Sequence, residues 1–123
     1  MLSALADGVS SIRGFLHAGD TWSTLDMMRA LGATVLQESA SEITVRGCGL
    51  RGLSEPDDVI DAGNSGTTIR IGAGILAAQP FLTILTGDRY LLRRPMKRII
   101  EPLARMGASI AGVFGLTFLL AGF

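Results

Sequence analysis

The chain has 123 residues, of which 48% are hydrophobic and 18% charged, and 11 lysine and arginine residues balance 11 aspartate and glutamate residues. This length fits one domain with a buried core, and a net charge of zero removes the broad attraction that non-specific nucleic-acid binding requires. Cys48 is the only cysteine and there is one histidine, so an intrachain disulfide is excluded and a metal site is disfavoured. We expect one domain in a reducing, cytoplasmic setting, with no cofactor, no metal and no nucleic-acid partner.

The first half of the chain alternates short strand patterns with one helical pattern. Three segments are short, rich in β-branched residues and bounded by glycine or polar residues: 11–16, 34–37 and 42–46. Between the first two, Asp20 or Thr21 can cap a helix that ends at Leu31. Leu25, Met28 and Leu31 recur at the three-residue spacing of one helix face, which predicts the buried side of this helix.

The second half follows a predicted loop over residues 47–57. It contains two strand patterns and two helical patterns, which are strands at 59–61 and 81–85 and helices at 64–78 and 93–106. Pro95 lies where the last helix can start, whereas Pro102 lies inside it and predicts a kink. The apolar stripe expected on this helix consists of Ile99, Ile100, Leu103 and Met106.

The end of the chain, residues 106–123, contains no charged residue and is just long enough to suggest a transmembrane segment. It also contains four glycines, and it divides at Gly115 into two short β-like pieces. We therefore expect two buried strands and no membrane span. The first residues lack the basic flank and the apolar stretch of a secretion signal.

An internal repeat organises the predicted elements. Segments 29–35 (RALGATV) and 104–110 (ARMGASI) each combine a basic last helical turn, a capping glycine and a small residue that leads into β-branched sequence. The second half reads β-α-β-α-β-β, and the first half repeats its α-β-β portion after one strand. We predict an α/β fold of α+β character, with repeated β-α-β-α-β-β units whose mixed sheets pack on helices. Residues 1–50 would be a partial first unit and residues 58–123 a second unit.

A stretch rich in glycine and hydroxyl side chains, DAGNSGTTIR, precedes the helix predicted from residue 64. Gly63 and Gly66 let the backbone approach a ligand closely, and Ser65, Thr67 and Thr68 supply hydroxyl groups. The start of the following helix directs free N–H groups toward the same place, which favours a small anion. An ordinary capped helix start without a ligand is the alternative, because asparagine and serine are common capping residues.

A second stretch, RYLLRRPMKR at 89–98, places five cations in ten residues after the turn TGD at 86–88. A guanidinium beside a backbone fixed by proline suits a carboxylate or a phosphate. A solvated basic helix start is the alternative. Cations at a helix N-terminus oppose the helix dipole, however, and an anionic ligand explains their placement better.

These stretches resemble the 5-enolpyruvylshikimate-3-phosphate synthase family. The similarity is carried by 61–70, by AGILAAQPF at 73–81, by LTGD at 85–88 and by RPMKRIIEPL at 94–103, and it extends upstream through 6–8, 12–16 and 20–21. The resemblance implies transfer of the enolpyruvyl group of phosphoenolpyruvate to shikimate 3-phosphate, with release of phosphate, and inhibition by glyphosate. It also implies a fold of two similar domains built from β-α-β-α-β-β units, of which this chain would be part of one.

The resemblance assigns roles to individual residues. Those expected to contact phosphoenolpyruvate or glyphosate are Asn64, Gly66, Thr67 and Arg94. Those expected to support them are Asp20, Ser65 and Arg70, of which Arg70 would brace the loop from its helix. Glycine at position 66 implies room for glyphosate, because a side chain there would crowd it while sparing the shorter phosphoenolpyruvate.

The departures from the family pattern limit what the resemblance implies for this chain. We expect a truncated chain, which lacks the first PGDKS-type strand and the second domain that supplies the acidic groups for proton transfer. No carboxylate can be given an acid–base role, so the catalytic residues stay unassigned. A sister enzyme that acts on UDP-N-acetylglucosamine carries a cysteine in the loop at 86–88, which is absent here.

Two hypotheses follow for the function. In the first, the chain is an enolpyruvyl transferase that works by itself or is completed by a second domain or by a second copy that associates through the apolar tail. In the second, the chain is a remnant module that folds and binds small anions weakly without turnover.

Overall fold

The computed structural model describes residues 1–113 and 116–120, and it describes side chains up to residue 112. The helices are α1 (Leu2–Leu5), α2 (Gly19–Ala30), α3 (Gly66–Leu76) and α4 (Lys97–Arg105), with a 3-10 helix at Leu91–Arg93. The strands are β1 (Val9–Arg13), β2 (Thr34–Gln37), β3 (Glu42–Arg46), β4 (Ile60–Asp61), β5 (Leu82–Thr86), β6 (Ser109–Val113) and β7 (Leu116–Leu120). The predicted mixed α/β class is confirmed.

The strands form two sheets, and the strand order of the first sheet matches that of β5, β7 and β6 in the second. The first sheet has the order β1-β3-β2, and the second has the order β4-β5-β7-β6. Both pairings of the first sheet are antiparallel, whereas in the second β4 and β5 are parallel and the other pairs antiparallel. Only the second sheet is therefore mixed, and the expectation of mixed sheets was wrong for the first. Parallel neighbours need a crossover such as a helix, and α3 supplies one between β4 and β5.

The repeated helix-to-strand junction has the same hydrogen bonds in both copies. The Gly32 N–H donates to the Arg29 carbonyl and the Ala33 N–H to the Met28 carbonyl. In the second copy Gly107 and Ala108 donate in the same pattern, to Ala104 and Leu103. Gly32 and Gly107 adopt φ angles of 104° and 101°, the left-handed conformation that a Schellman cap requires. The sequence repeat is thus a repeated helix C-cap.

The core forms where α2 packs against α3 and both helices face the sheets. The predicted face of α2 is confirmed, because Leu25, Met28 and Leu31 are all buried. The other large side chains that are most completely buried are Met27, Ile43, Ile69, Leu76, Leu85 and Leu91. Burial of one such side chain contributes about 1.5–3 kcal/mol. These contacts hold the N-terminus of α3 in a fixed position.

The limits of two helices differ from those that the sequence indicated. Helix α2 begins earlier, whereas α3 begins later and also ends earlier. Helix α2 begins at Gly19, and its N-cap is Ala18 rather than Asp20 or Thr21. The Thr21 hydroxyl instead accepts the Ala18 N–H at 3.1 Å, which is the return half of a capping box. Helix α3 begins after Ser65 instead of at Asn64, and it ends at Leu76 rather than at residue 78.

The last predicted helix, 93–106, is divided into two elements. Arg94 is extended, with a ψ of 136°, and separates the 3-10 helix from α4. The cause is Pro95, because a proline ring disfavours the helical conformation of the residue before it. Pro102 lies inside α4 as expected, and the kink there stays a prediction. Met106 is 73% exposed and does not belong to the apolar stripe, whereas Ile99, Ile100 and Leu103 pack against the core.

The remaining elements agree with the sequence in kind and differ at their ends. Strand β1 covers Val9–Arg13 rather than 11–16, because each of its residues pairs with one of β3. Helix α1 was not predicted, since four residues are too few to show helical periodicity. Strands β6 and β7 confirm the two strands expected near the C-terminus, whereas the division at Gly115 lies outside the described residues. The expectation that both strands are buried was wrong for β6, because its residues 109–112 are exposed or half-buried. No helix in the described part of the chain is long and apolar enough to cross a membrane.

One buried polar group lacks a hydrogen bond among the described residues. Thr83 of β5 is 1% exposed, and its hydroxyl has no partner there. We expect Thr83→Val to raise the free energy of unfolding by about 1 kcal/mol, because an isosteric methyl group removes an unpaired hydroxyl. The same change at Thr68, whose buried hydroxyl is hydrogen-bonded, should lower it by about 1–2 kcal/mol. Urea denaturation measures both, and equal losses at the two positions would contradict this interpretation.

Candidate functional site

The loop before α3 and the first turn of α3 present some side chains to solvent and others to the core. The Ser65 hydroxyl caps α3 by accepting the Thr68 N–H at 3.0 Å, and both side chains are buried. Asn64 and Thr67 are exposed on either side of the buried Gly66. The cap consumes one N–H of the first turn, and the others at a helix start are not used inside the helix. The N-terminus of α3 can therefore receive an anion.

Two guanidinium groups lie beside this helix start. A Cβ at Gly66 would lie 3.0 Å from Arg94 Nη1 and 3.8 Å from Arg70 Nη1. Arg70 is one helical turn after Gly66 and reaches back along the same face, whereas Arg94 arrives from the segment after the 3-10 helix. The salt bridges within the described part of the chain involve other residues. Both charges are thus available to a ligand at Gly66.

Asp88 connects the loop before α3 with the segment that leads to Arg94. Its carboxylate accepts hydrogen bonds from Asn64 Nδ2 at 3.0 and 3.2 Å and from the N–H groups of Leu91 and Tyr90 at 2.8 and 3.0 Å. The hydrogen bond from Leu91, followed by those from Asn64 and Tyr90 and by the charge of Arg94, lowers the pKa of Asp88. Stability contributed by ionised Asp88 is thus present above the ordinary pKa of 3.8 and is lost as the pH falls below it.

Asp20 reaches the site through its backbone. The Asp20 carbonyl accepts the Thr68 hydroxyl at 3.2 Å, and the hydroxyls of Thr24 and Thr68 are 2.7 Å apart. This network ties the first turn of α2 to the first turn of α3. Asp20 and Thr67 also help to line a largely apolar cavity of about 190 Å³ between α2 and the first sheet.

The structure brings most of the predicted site residues together. Those that meet at the start of α3 are Asn64, Ser65, Gly66, Thr67, Arg70 and Arg94, with Asp20 behind them on α2. Sequence reasoning missed Asp88 and Thr24. The signal for Asp88 was its place two residues after β5 and three residues before the 3-10 helix, where aspartate commonly accepts backbone N–H groups. Thr24 gave no signal.

Metal and cysteine chemistry find little support in the described residues. No group of three or more histidine, cysteine, aspartate or glutamate side chains is close enough there to hold a metal ion. Cys48 is a free, half-buried thiol at the end of the first sheet. The chemistry that the site does offer is the binding of a small anion by guanidinium groups and backbone N–H groups.

The fold and the site define a class of protein, an α/β domain of repeated units whose cationic helix start is open to a small anion. A family model described as EPSP synthase (3-phosphoshikimate 1-carboxyvinyltransferase) matches residues 1–118. The chain therefore belongs to the EPSP synthase family, as its motifs suggested.

Individual relatives agree with this assignment. The 3-phosphoshikimate 1-carboxyvinyltransferases of Geobacter sulfurreducens and Alkaliphilus metalliredigens are each 54% identical to the chain over 112 residues. A solved structure of EPSP synthase from Acinetobacter baumannii superimposes with a TM-score of 0.92 at 38% identity, over 98% of this chain and 28% of that one. Each of the two bacterial sequences is matched over 91% of this chain and 26% of its own length. The chain thus spans about a quarter of the length of its curated relatives.

Proposed function

We propose that this chain carries the phosphoenolpyruvate-binding half of an enolpyruvyl transferase site. The observation that supports the proposal is the convergence of the Arg94 and Arg70 guanidinium groups on Gly66 at the start of α3. Phosphoenolpyruvate carries a phosphate and a carboxylate, and a guanidinium pairs with either of them through two hydrogen bonds. Asn64 and Thr67 flank the same place with polar side chains.

In the reaction proposed for the complete site, the 5-hydroxyl of shikimate 3-phosphate adds to phosphoenolpyruvate and inorganic phosphate leaves. Arg94 and the N–H groups at the start of α3 hold the anionic groups of phosphoenolpyruvate and orient it. Proton transfer needs an acid and a base within hydrogen-bond reach of the reacting atoms. We assign neither to this chain, and propose that a second domain or a second copy supplies them together with the remaining contacts to shikimate 3-phosphate.

A second candidate is a non-catalytic module that folds and binds small anions weakly. The observation that favours it is that the chain spans 26% of the length of its relatives. Loss of a general acid–base pair alone costs about 10²- to 10⁴-fold in rate. Binding and turnover therefore have to be measured separately.

An amide NMR titration of the purified chain with phosphoenolpyruvate, glyphosate and shikimate 3-phosphate tests the proposal. We expect saturable shifts confined to Asn64, Gly66, Thr67 and the segment around Arg94. A phosphate-release assay on the same sample then separates the two candidates, because only the transferase releases phosphate when both substrates are present. A well-dispersed spectrum without shifts would overturn the proposed binding site.

Gly66 provides a test of how the site discriminates between ligands. We expect Gly66→Ala to weaken glyphosate binding about tenfold more than phosphoenolpyruvate binding, since its Cβ would lie 3.0 Å from Arg94 Nη1 and occupy space that the longer ligand needs. Titration of both ligands into the variant measures the difference. Gly74→Ala is the matched control, because its Cβ would meet no heavy atom within 4 Å other than those of its chain neighbours and its own helix backbone. Equal losses for the two ligands would rule out this steric explanation.

A further inference from the structure

Asp88 occupies the junction between β5 and the 3-10 helix and bonds to both sides of the site. Its backbone N–H donates to the Gly63 carbonyl at 2.8 Å. One carboxylate oxygen accepts the N–H groups of Tyr90 and Leu91, and both oxygens face the side-chain nitrogen of Asn64. The loop before α3 and the segment that leads to Arg94 are therefore fastened to each other through this one residue.

The chemistry of the contact determines how Asn64 is oriented. An ionised carboxylate only accepts hydrogen bonds, so the amide nitrogen of Asn64 must face Asp88 and its oxygen must face away. Asn64 is exposed and has no other side-chain hydrogen bond among the described residues, so nothing else there selects one of its two amide orientations. Asp88 leaves the Asn64 carbonyl oxygen for a ligand.

We propose that Asp88 is a positioning residue, which sets the amide orientation of Asn64 and holds the 3-10 helix that delivers Arg94 to the start of α3. The inference rests on the proposed phosphoenolpyruvate site and extends that site to Asp88, which acts through Asn64 and Arg94. Asp88 itself need not touch the ligand.

Removal of the Asp88 charge separates positioning from plain electrostatics, because the two explanations predict opposite changes in phosphoenolpyruvate affinity. Asp88 is an anion close to Arg94 and to a site for an anionic ligand. If its charge were its only contribution, Asp88→Asn would strengthen phosphoenolpyruvate binding, because repulsion is removed. Positioning predicts the opposite. The new amide nitrogen repels that of Asn64 and favours the reversed orientation, while the remaining oxygen still accepts from Tyr90 and Leu91.

The first experiment compares phosphoenolpyruvate affinity in variants of the full chain by NMR titration. We expect Asp88→Asn to weaken binding about tenfold, the effect of one charge-assisted hydrogen bond. Asp57→Asn removes the same charge from an exposed loop and should change affinity less than about twofold. In an Asn64→Ala background, Asp88→Asn should lose most of its effect, because the two residues act as one unit. Unchanged or stronger binding by Asp88→Asn, or full additivity of the two changes, would overturn the inference.

The second experiment uses the unliganded chain, so it does not depend on the proposed function. The Asn64 side-chain NH₂ resonances should shift in Asp88→Asn and in Asp88→Ser but not in Asp57→Asn. Asp88→Ser keeps a hydroxyl that can accept from the 3-10 helix and so guards against loss of the fold. Resonances that stay in place in both variants would overturn the positioning role. If the resonances shift while wild type fails to bind phosphoenolpyruvate, the proposed function fails and the orientation of Asn64 by Asp88 stands.

Discussion

Arg94→Lys is expected to weaken phosphoenolpyruvate binding by at least about tenfold, whereas Arg98→Lys should change it less than about twofold. Arg94 lies beside Gly66 and can make a planar two-point contact with a carboxylate or phosphate, which a lysine ammonium cannot reproduce. The loss of one charge-assisted hydrogen bond is worth about 1.5–3 kcal/mol. Titration of the purified variants by NMR or calorimetry measures both affinities.

Arg98 is the matched control because it is also an exposed arginine of the same basic stretch, four residues further along and in the first turn of α4. Both substitutions keep the charge and lie on the surface, so the free energy of unfolding should stay within about 0.5 kcal/mol of wild type. Equal loss of affinity in the two variants would mean that the basic stretch attracts anions as a diffuse surface. The proposed site at α3 would then be wrong.

Gly87→Ala is expected to lower the free energy of unfolding by about 2–4 kcal/mol and to abolish ligand-induced shifts around Gly66. A Cβ at position 87 would lie 2.7 Å from the Gly63 carbonyl oxygen, and it would also crowd the buried Leu91. The backbone of Gly63 cannot retreat without losing its hydrogen bond from Asp88, which is 2.8 Å long. Urea denaturation measures the loss of stability.

Gly74→Ala makes the same chemical change on α3, where a Cβ has open space around it. We expect this control to raise the free energy of unfolding by about 0.5–1 kcal/mol, because alanine favours the helix over glycine. If Gly87→Ala were as stable as Gly74→Ala, the loops before α3 and after β5 would not be in the close contact described above.

Much of the site could be predicted because its residues are neighbours in the sequence. Asn64, Ser65, Gly66 and Thr67 form one short motif before a helix, and Arg94 belongs to a second motif that the family resemblance connected to it. Asp88 could not be assigned in the same way, since its importance comes from contacts with Asn64, 24 residues away. Thr24 and Thr68 are 44 residues apart, and their hydrogen bond likewise depends on how α2 meets α3.

The ends of the helices and strands likewise depend on contacts that the local sequence does not reveal. The sequence indicated a helix over 93–106 from its apolar spacing, but Pro95 forces Arg94 out of the helical conformation and moves the start to Lys97. Strand β1 begins earlier than its β-branched residues suggested, because pairing with β3 fixes its ends. Local patterns reveal that an element exists, whereas partners elsewhere in the chain determine its limits.

By itself the sequence determined the α/β class, the repeated helix-to-strand junctions at Gly32 and Gly107, and the two motifs of the site. Those features depend on periodicity, on caps and on residue types within a few positions of each other, which the chain encodes locally. Only the tertiary structure decided that Arg70 and Arg94 converge on Gly66 and that the Asp88 carboxylate accepts hydrogen bonds from Asn64. Such contacts join segments brought together by burial of the core, and hydrophobic burial is non-directional, so spacing along the chain does not specify them.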